Sequence, residues 1–151
     1  MGQVNATTIT AGTITNTDIS QGAGISASKV EHSQCFYVDF GYLDADGSIA
    51  TGDVTFYIPA NTATIRRVTA FLVDTGTSTD IDFDLLVDGT TALTTEIKVT
   101  NSTADNTQVV GSIASATLTA GQVVKASIKT VTSNTGALGP RMLIHCDTSY
   151  V

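Results

Sequence analysis

Between Ile81 and Val99 the chain reads IDFDLLVDGTTALTTEIKV, with apolar side chains at every second position. Ile81, Phe83, Leu85 and Val87 alternate with Asp82, Asp84 and Leu86. After Asp88-Gly89, Leu93, Thr95, Ile97 and Val99 alternate with Thr94, Glu96 and Lys98. A period of two belongs to a half-buried strand and fits no helix. Gly accepts the positive φ of a tight turn, so Asp88-Gly89 predicts a β-hairpin with one dry and one wet face. Elsewhere, Phe36, Val38, Phe40 and Tyr42 alternate with Tyr37, Asp39 and Gly41, followed by a turn at Asp44–Gly47. Val54, Phe56 and Ile58 predict a second strand, stopped by Pro59. Thr64 to Asp74 is apolar on both faces after Arg66-Arg67, as a central strand would be. Gln108–Leu118, Val123–Val131 and Pro140–Tyr150 complete the set, with turns at Gly121 and Gly136. The pattern predicts an all-β domain over residues 33–151, an antiparallel β-sandwich or jelly roll of about eight strands.

Residues 1–32 differ. They hold no aromatic side chain, and their aliphatic residues stand singly: Val4, Ile9, Ile14, Ile19, Ile25 and Val30. Those intervals match neither helix nor strand. Such a segment cannot bury enough apolar surface alone to offset its ordering entropy. An extended N-terminal arm that orders against a partner is expected, with a short helical turn near Ser26–Glu31 as one option. The start, MGQVNATTIT, shows no basic and apolar leader, and no apolar run reaches the ~20 residues of a membrane helix. A soluble chain made in the cytoplasm is expected, with no membrane partner.

Composition sharpens this picture. Thr, Ser, Gly, Val and Ile dominate, the vocabulary of strands and turns. The formal charge is −7, and the seven Lys and Arg residues are scattered. A phosphate backbone wants clustered cations, so direct nucleic-acid binding is not expected. Two cysteines, Cys35 and Cys146, fall on the first and last predicted strands. A disulfide between them is geometrically conceivable, and two buried reduced thiols are the expected state.

Candidate chemistry is sparse. Asp74, Asp80, Asp82, Asp84 and Asp88 invite a calcium reading, but Asp80, Asp82 and Asp84 fall on one outward strand face, spaced for solvation. Asp44-x-Asp46-Gly47 is a fragment of a calcium loop without its later ligands. His32 and His145 are the only histidines, and no nucleophile motif or phosphate-cradling glycine loop accompanies them. Neither a catalytic site nor a cofactor or metal is expected. Tyr37, Tyr42 and Tyr57 leave a sugar-binding platform open beside ordinary packing.

One phrase carries a resemblance. Ile14-Thr-Asn16-Thr-Asp18-Ile19-Ser-Gln-Gly22-Ala-Gly-Ile25-Ser-Ala-Ser28-Lys29-Val30 resembles a segment, I-x-N-x-D-I-x-x-x-A-x-I-x-x-S-K-[LV], that recurs in bacteriophage structural proteins ahead of a fibre or head domain. Ile58-Pro59-Ala60, the Asp-rich hairpin and Leu118–Val124 look, more loosely, like phage sandwich domains. The resemblance implies a capsid decoration (cement) protein or a fibre or collar subunit. It implies a homo-oligomer, a trimer, on the outer surface of the virion, with the major capsid protein as partner of the arm. Lacking repeats or a shaft, the chain fits the compact decoration class better than a long fibre. The partner-binding residues would then be Ile9, Ile14, Asn16, Asp18, Ile19, Ile25, Ser28, Lys29 and Val30, the aliphatic ones as anchors. The alternative is a fibre, collar or tail head domain that recognises a host receptor or glycan through loops at Asp74–Asp80 and Asn101–Asn106.

Overall fold

The computed structural model describes residues 32–41 and 49–148. The predicted arm, apart from His32, and the predicted turn at Asp44–Gly47 lie outside these residues. The described residues form ten strands and no helix: β1 (His32–Asp39), β2 (Gly52–Tyr57), β3 (Ala63–Asp74), β4 (Ser78–Val87), β5 (Thr90–Thr91), β6 (Ile97–Thr100), β7 (Val109–Val110), β8 (Thr117–Leu118), β9 (Val124–Thr135) and β10 (Leu138–Thr148). Two antiparallel sheets result. Sheet A runs β1-β10-β3-β7, with β8 also on β3; sheet B runs β2-β9-β4-β5, with β6 also on β4.

The alternation read from the sequence selects the face of each sheet that turns inward. Val68, Ala70 and Leu72 of β3 join Met142, Ile144 and Cys146 of β10, while Ile81, Phe83 and Leu85 of β4 join Ala126 and Ile128 of β9, all fully buried. Aromatic contacts bridge the sheets: Phe40 lies 6.0 Å from Phe83, and Phe36 lies 5.3 Å from Phe56 and 4.5 Å from Tyr57, centroid to centroid. As expected, β3 is central, held between β10 and β7/β8. The Asp88-Gly89 turn carries φ values of 50° and 82°, and Gly121 and Gly136 also take positive φ.

Four expectations need correction, each for a local reason. The hairpin's return strand is not continuous: after β5 the chain leaves sheet B, so Thr95 is exposed, and rejoins β4 only at Ile97. On that excursion Leu93 bridges Ile113 and Thr94 N–H donates to Ser112 O at 2.7 Å. The expected strand over Gln108–Leu118 is accordingly two short pieces, β7 and β8, with the middle of the segment bound to the excursion. Ile58 is 57 % exposed, because a bulge between Thr55 and Tyr57 turns Tyr57 inward in its place. The wet face of β4 is wet only in part: Asp84 and Leu86 are buried.

A second bulge lies where β10 meets β3. His145 faces Arg67 and Cys146 faces Ile65, so Arg66 is the extra residue. A bulge re-aims side chains, and here it lets two consecutive arginines both stand exposed on the outer side.

Candidate functional site

The residues assigned to partner binding, Ile9, Ile14, Asn16, Asp18, Ile19, Ile25, Ser28, Lys29 and Val30, lie outside the described residues. What the structure describes is the domain from residue 32 onward, with two outer sheet faces and one loop end.

On the outer face of sheet A, Asp147 of β10 accepts from Ser33 Oγ of β1 at 2.6 Å and pairs with Arg66 Nε of β3 at 2.5 Å. The Ser33 hydroxyl, and then Arg66, hold the Asp147 carboxyl below its ordinary value. This chain ties three strands together at one end of the sheet. At the other end Arg141 lies 3.3 Å from Asp39, with its guanidinium 5.4 Å from the Tyr37 ring centroid. Between them, Cys35 Sγ sits 3.6 Å from His145 Nε2 on the neighbouring strand. Among the described residues no third group orients that imidazole, as triad chemistry requires.

The thiols differ from expectation. Gln34, not Cys35, faces Cys146, so the two cysteines point to opposite sides of the sheet and no bridge joins them. Cys146 is buried as foreseen; Cys35 is exposed. Burial first, then the Asp147 charge, pushes the Cys146 thiol up to about 11. Because the thiolate is the nucleophile, the native chain is expected to consume one equivalent of a thiol reagent. A second equivalent should react only on unfolding, and Cys35→Ser should show none until then. Two fast equivalents in the native wild type would refute this placement.

The outer face of sheet B carries a polar row across its strands. Asp53 accepts from Ser127 Oγ at 2.7 Å, and Asp84, opposite Ser127, accepts from Thr91 Oγ1 at 2.6 Å and from Leu85 N–H at 2.8 Å. Those partners make a 2 % exposed carboxylate tolerable. Lys98 reaches both Asp80, at 2.5 Å, and Asp82, at 3.3 Å. The hydrogen bond that Lys98 donates to Asp80, then the one it donates to Asp82, raises the lysine's pKa. The Asp row foreseen as a solvated or interface face is thus part ion pair, part buried. Among the described residues no three His, Cys, Asp or Glu groups gather as a metal site would require. A shallow depression of about 400 Å³ lies on this face between Asp53, Leu86 and Lys129.

The third region joins the two loops named for the receptor alternative. Asp105 Oδ1 accepts from Thr75 N–H at 2.9 Å and from Thr75 Oγ1 at 3.0 Å, and Asn106 Nδ2 donates to Val73 O at 3.2 Å. Thr79 Oγ1 donates to Thr75 O within the first loop. The Thr75 backbone donor, then its hydroxyl, lowers the Asp105 pKa. Thirty residues separate these partners, and no local motif in the sequence announces the pairing. The proposed tyrosine platform does not form: Tyr37 stands on the outer face, while Tyr57 packs inward on Phe36; Tyr42 lies outside the described residues.

No family of known proteins matches the sequence, and no curated protein matches it either. Among the described residues no helix is long and apolar enough to cross a membrane.

Proposed function

We propose that this chain belongs to the structural proteins of a virus particle and has no catalytic role. Within that class we read it as a bacteriophage capsid decoration, or cement, protein. Its sandwich, of the jelly-roll kind, would sit on the outer surface of the head as a homotrimer, and its extended arm over residues 1–32 would grip the major capsid protein.

The observation that carries this reading is a juxtaposition. The phage-type phrase ends at Val30, two residues before β1 opens a two-sheet domain with no linker between. An arm with single aliphatic anchors attached directly to a sandwich suits attachment to a lattice, where repeated weak contacts add up through symmetry. The two loops latched by Asp105 favour the second reading, a fibre, collar or tail head domain that binds a receptor or glycan.

The deciding measurement is the copy number of this chain in purified particles, by quantitative mass spectrometry against the shell protein. A count comparable with the shell protein is expected. A few copies per particle would move the protein to collar, fibre or tail, and absence from particles would end the virion reading.

A further inference from the structure

The two sides of the sandwich are finished differently. On the β5–β8 side every edge strand is short, and the segments between them are laced together. Gly111 N–H donates to Val68 O, Ala114 N–H to Ala92 O, and Ile65 N–H to Ala116 O. On the opposite side, β2 is interrupted by its bulge and carries the Asp53–Lys125 ion pair. Natural proteins blunt edges with just such short strands, bulges and charges. β1 is neither short nor bulged, and its one ion pair, Asp39–Arg141, stands at its last residue. Its eight residues, HSQCFYVD, pair with β10 without a register shift, and it contains no Pro, Gly or Lys.

The direction of its free backbone groups follows from one hydrogen bond. Phe40 N–H donates to Pro140 O, in line with the β1–β10 register. In an antiparallel ladder each residue turns both its N–H and its C=O to the same side, and successive residues alternate. Gln34, Phe36 and Val38 therefore bond to β10. Ser33, Cys35, Tyr37 and Asp39 turn theirs away from β10, and no other described strand pairs with them.

We propose that β1 is a docking edge for β1 of a second copy of this chain, paired antiparallel about a two-fold axis with Phe36 facing Phe36 of the second copy. This register sets Cys35 opposite Tyr37 and Ser33 opposite Asp39, and each pairing occurs twice. All four outward residues are then satisfied, giving about eight backbone hydrogen bonds. Phe36 is half-buried in the monomer beside Phe56 and Tyr57, and at a non-hydrogen-bonded position aromatic side chains come closest. The charges agree as well. The Arg66–Asp147 pair near Ser33 and the Asp39–Arg141 pair at the other end each hold one cation and one anion, so neither end brings net charge to the seam. Moving the register by two residues to place Cys35 on Cys35 would pair only Ser33, Cys35 and Tyr37 among the outward residues and leave Asp39 with no described residue opposite it. The pairing joins two five-stranded sheets into one and does not rest on the virion reading.

Full-length chain, Cys35→Ser and Cys35→Pro are compared by sedimentation equilibrium. Proline at position 35 removes an N–H that faces away from β10, so it blocks the incoming strand while sparing the β1–β10 ladder. The wild type and Cys35→Ser are expected at twice the particle mass of Cys35→Pro. Equal mass for all three overturns the proposal. Amide hydrogen exchange of the wild type gives an independent readout should the proline variant fail to fold. The amides of Ser33, Cys35, Tyr37 and Asp39 should gain protection as concentration rises, while those of Gln34, Phe36 and Val38 stay protected throughout. Fast exchange of the four outward amides in the assembled protein overturns the proposal. So does their protection under conditions where the chain sediments as a single copy, which would mean that its own residues cover the edge.

Discussion

Removing residues 1–31 is expected to leave a folded sandwich that has lost the attachment to a phage shell proposed for those residues. Folding should survive because the buried core spans Val38 to Cys146, and each pairing of the two sheets lies between His32 and Thr148. Binding should fail because the proposed anchors, Ile9, Ile14, Ile19, Ile25 and Val30, go with the segment. Burying one aliphatic side chain contributes roughly 1.5–3 kcal/mol before ordering costs. The loss of two anchors therefore lowers affinity on the order of a hundredfold or more, and a symmetric oligomer compounds the loss at every arm. The comparison is made on particles lacking this chain, with full-length and truncated protein added back and bound protein counted after sedimentation. Equal binding by the truncated chain would exclude the arm as the attachment device.

Phe83→Ala is expected to have the largest effect on stability of any single truncation. Phe83 is fully buried in the middle of β4 and lies against Phe40 across the sandwich. Emptying that volume removes the transfer free energy of the ring and leaves a cavity that flanking strands, fixed by their ladders, cannot close. The cost is about 3–5 kcal/mol, a large share of the ~5–15 kcal/mol that holds an ordinary domain together. Tm should fall on the order of 10–20 °C, and the urea midpoint should drop with an unchanged slope. Val110→Ala is the control: Val110 is 58 % exposed, and its truncation should stay within about 0.5 kcal/mol. A loss below about 1 kcal/mol for Phe83→Ala would mean that the two sheets do not meet at that side chain.

What could be read from the sequence was what depends on alternation within one strand. The inward faces of β1 and β4, the central position of β3 and the Asp88-Gly89 turn all follow from local pattern and turn chemistry. What escaped depends on partners distant in sequence. Asp84 looks outward by parity, but it lies beside the chain at Thr91–Glu96 and is held there by the Thr91 hydroxyl. The fragmentation of Gln108–Leu118 is imposed by the excursion at Leu93 and Thr94. Ile58 kept the correct period and lost its place to a bulge, an insertion invisible to a period-two reading. The facing of Cys35 and His145 needed the β1–β10 register, which cysteine spacing alone does not supply. The candidate partner-binding residues were legible only as a phrase and as isolated aliphatics, because an arm that orders on its partner carries no internal periodicity to read.

The antiparallel register of β1 and β10 places His32 directly opposite Thr148, so the domain's two ends emerge from one corner. A tension applied between those ends opens the β1–β10 ladder like a zip, with hydrogen bonds yielding one pair after another. A tension entering at residue 32 and leaving from the far side of the sandwich instead loads the same ladder in shear, with its bonds acting together. The domain is therefore mechanically anisotropic: easily peeled from its own ends, and resistant when it carries load across its body.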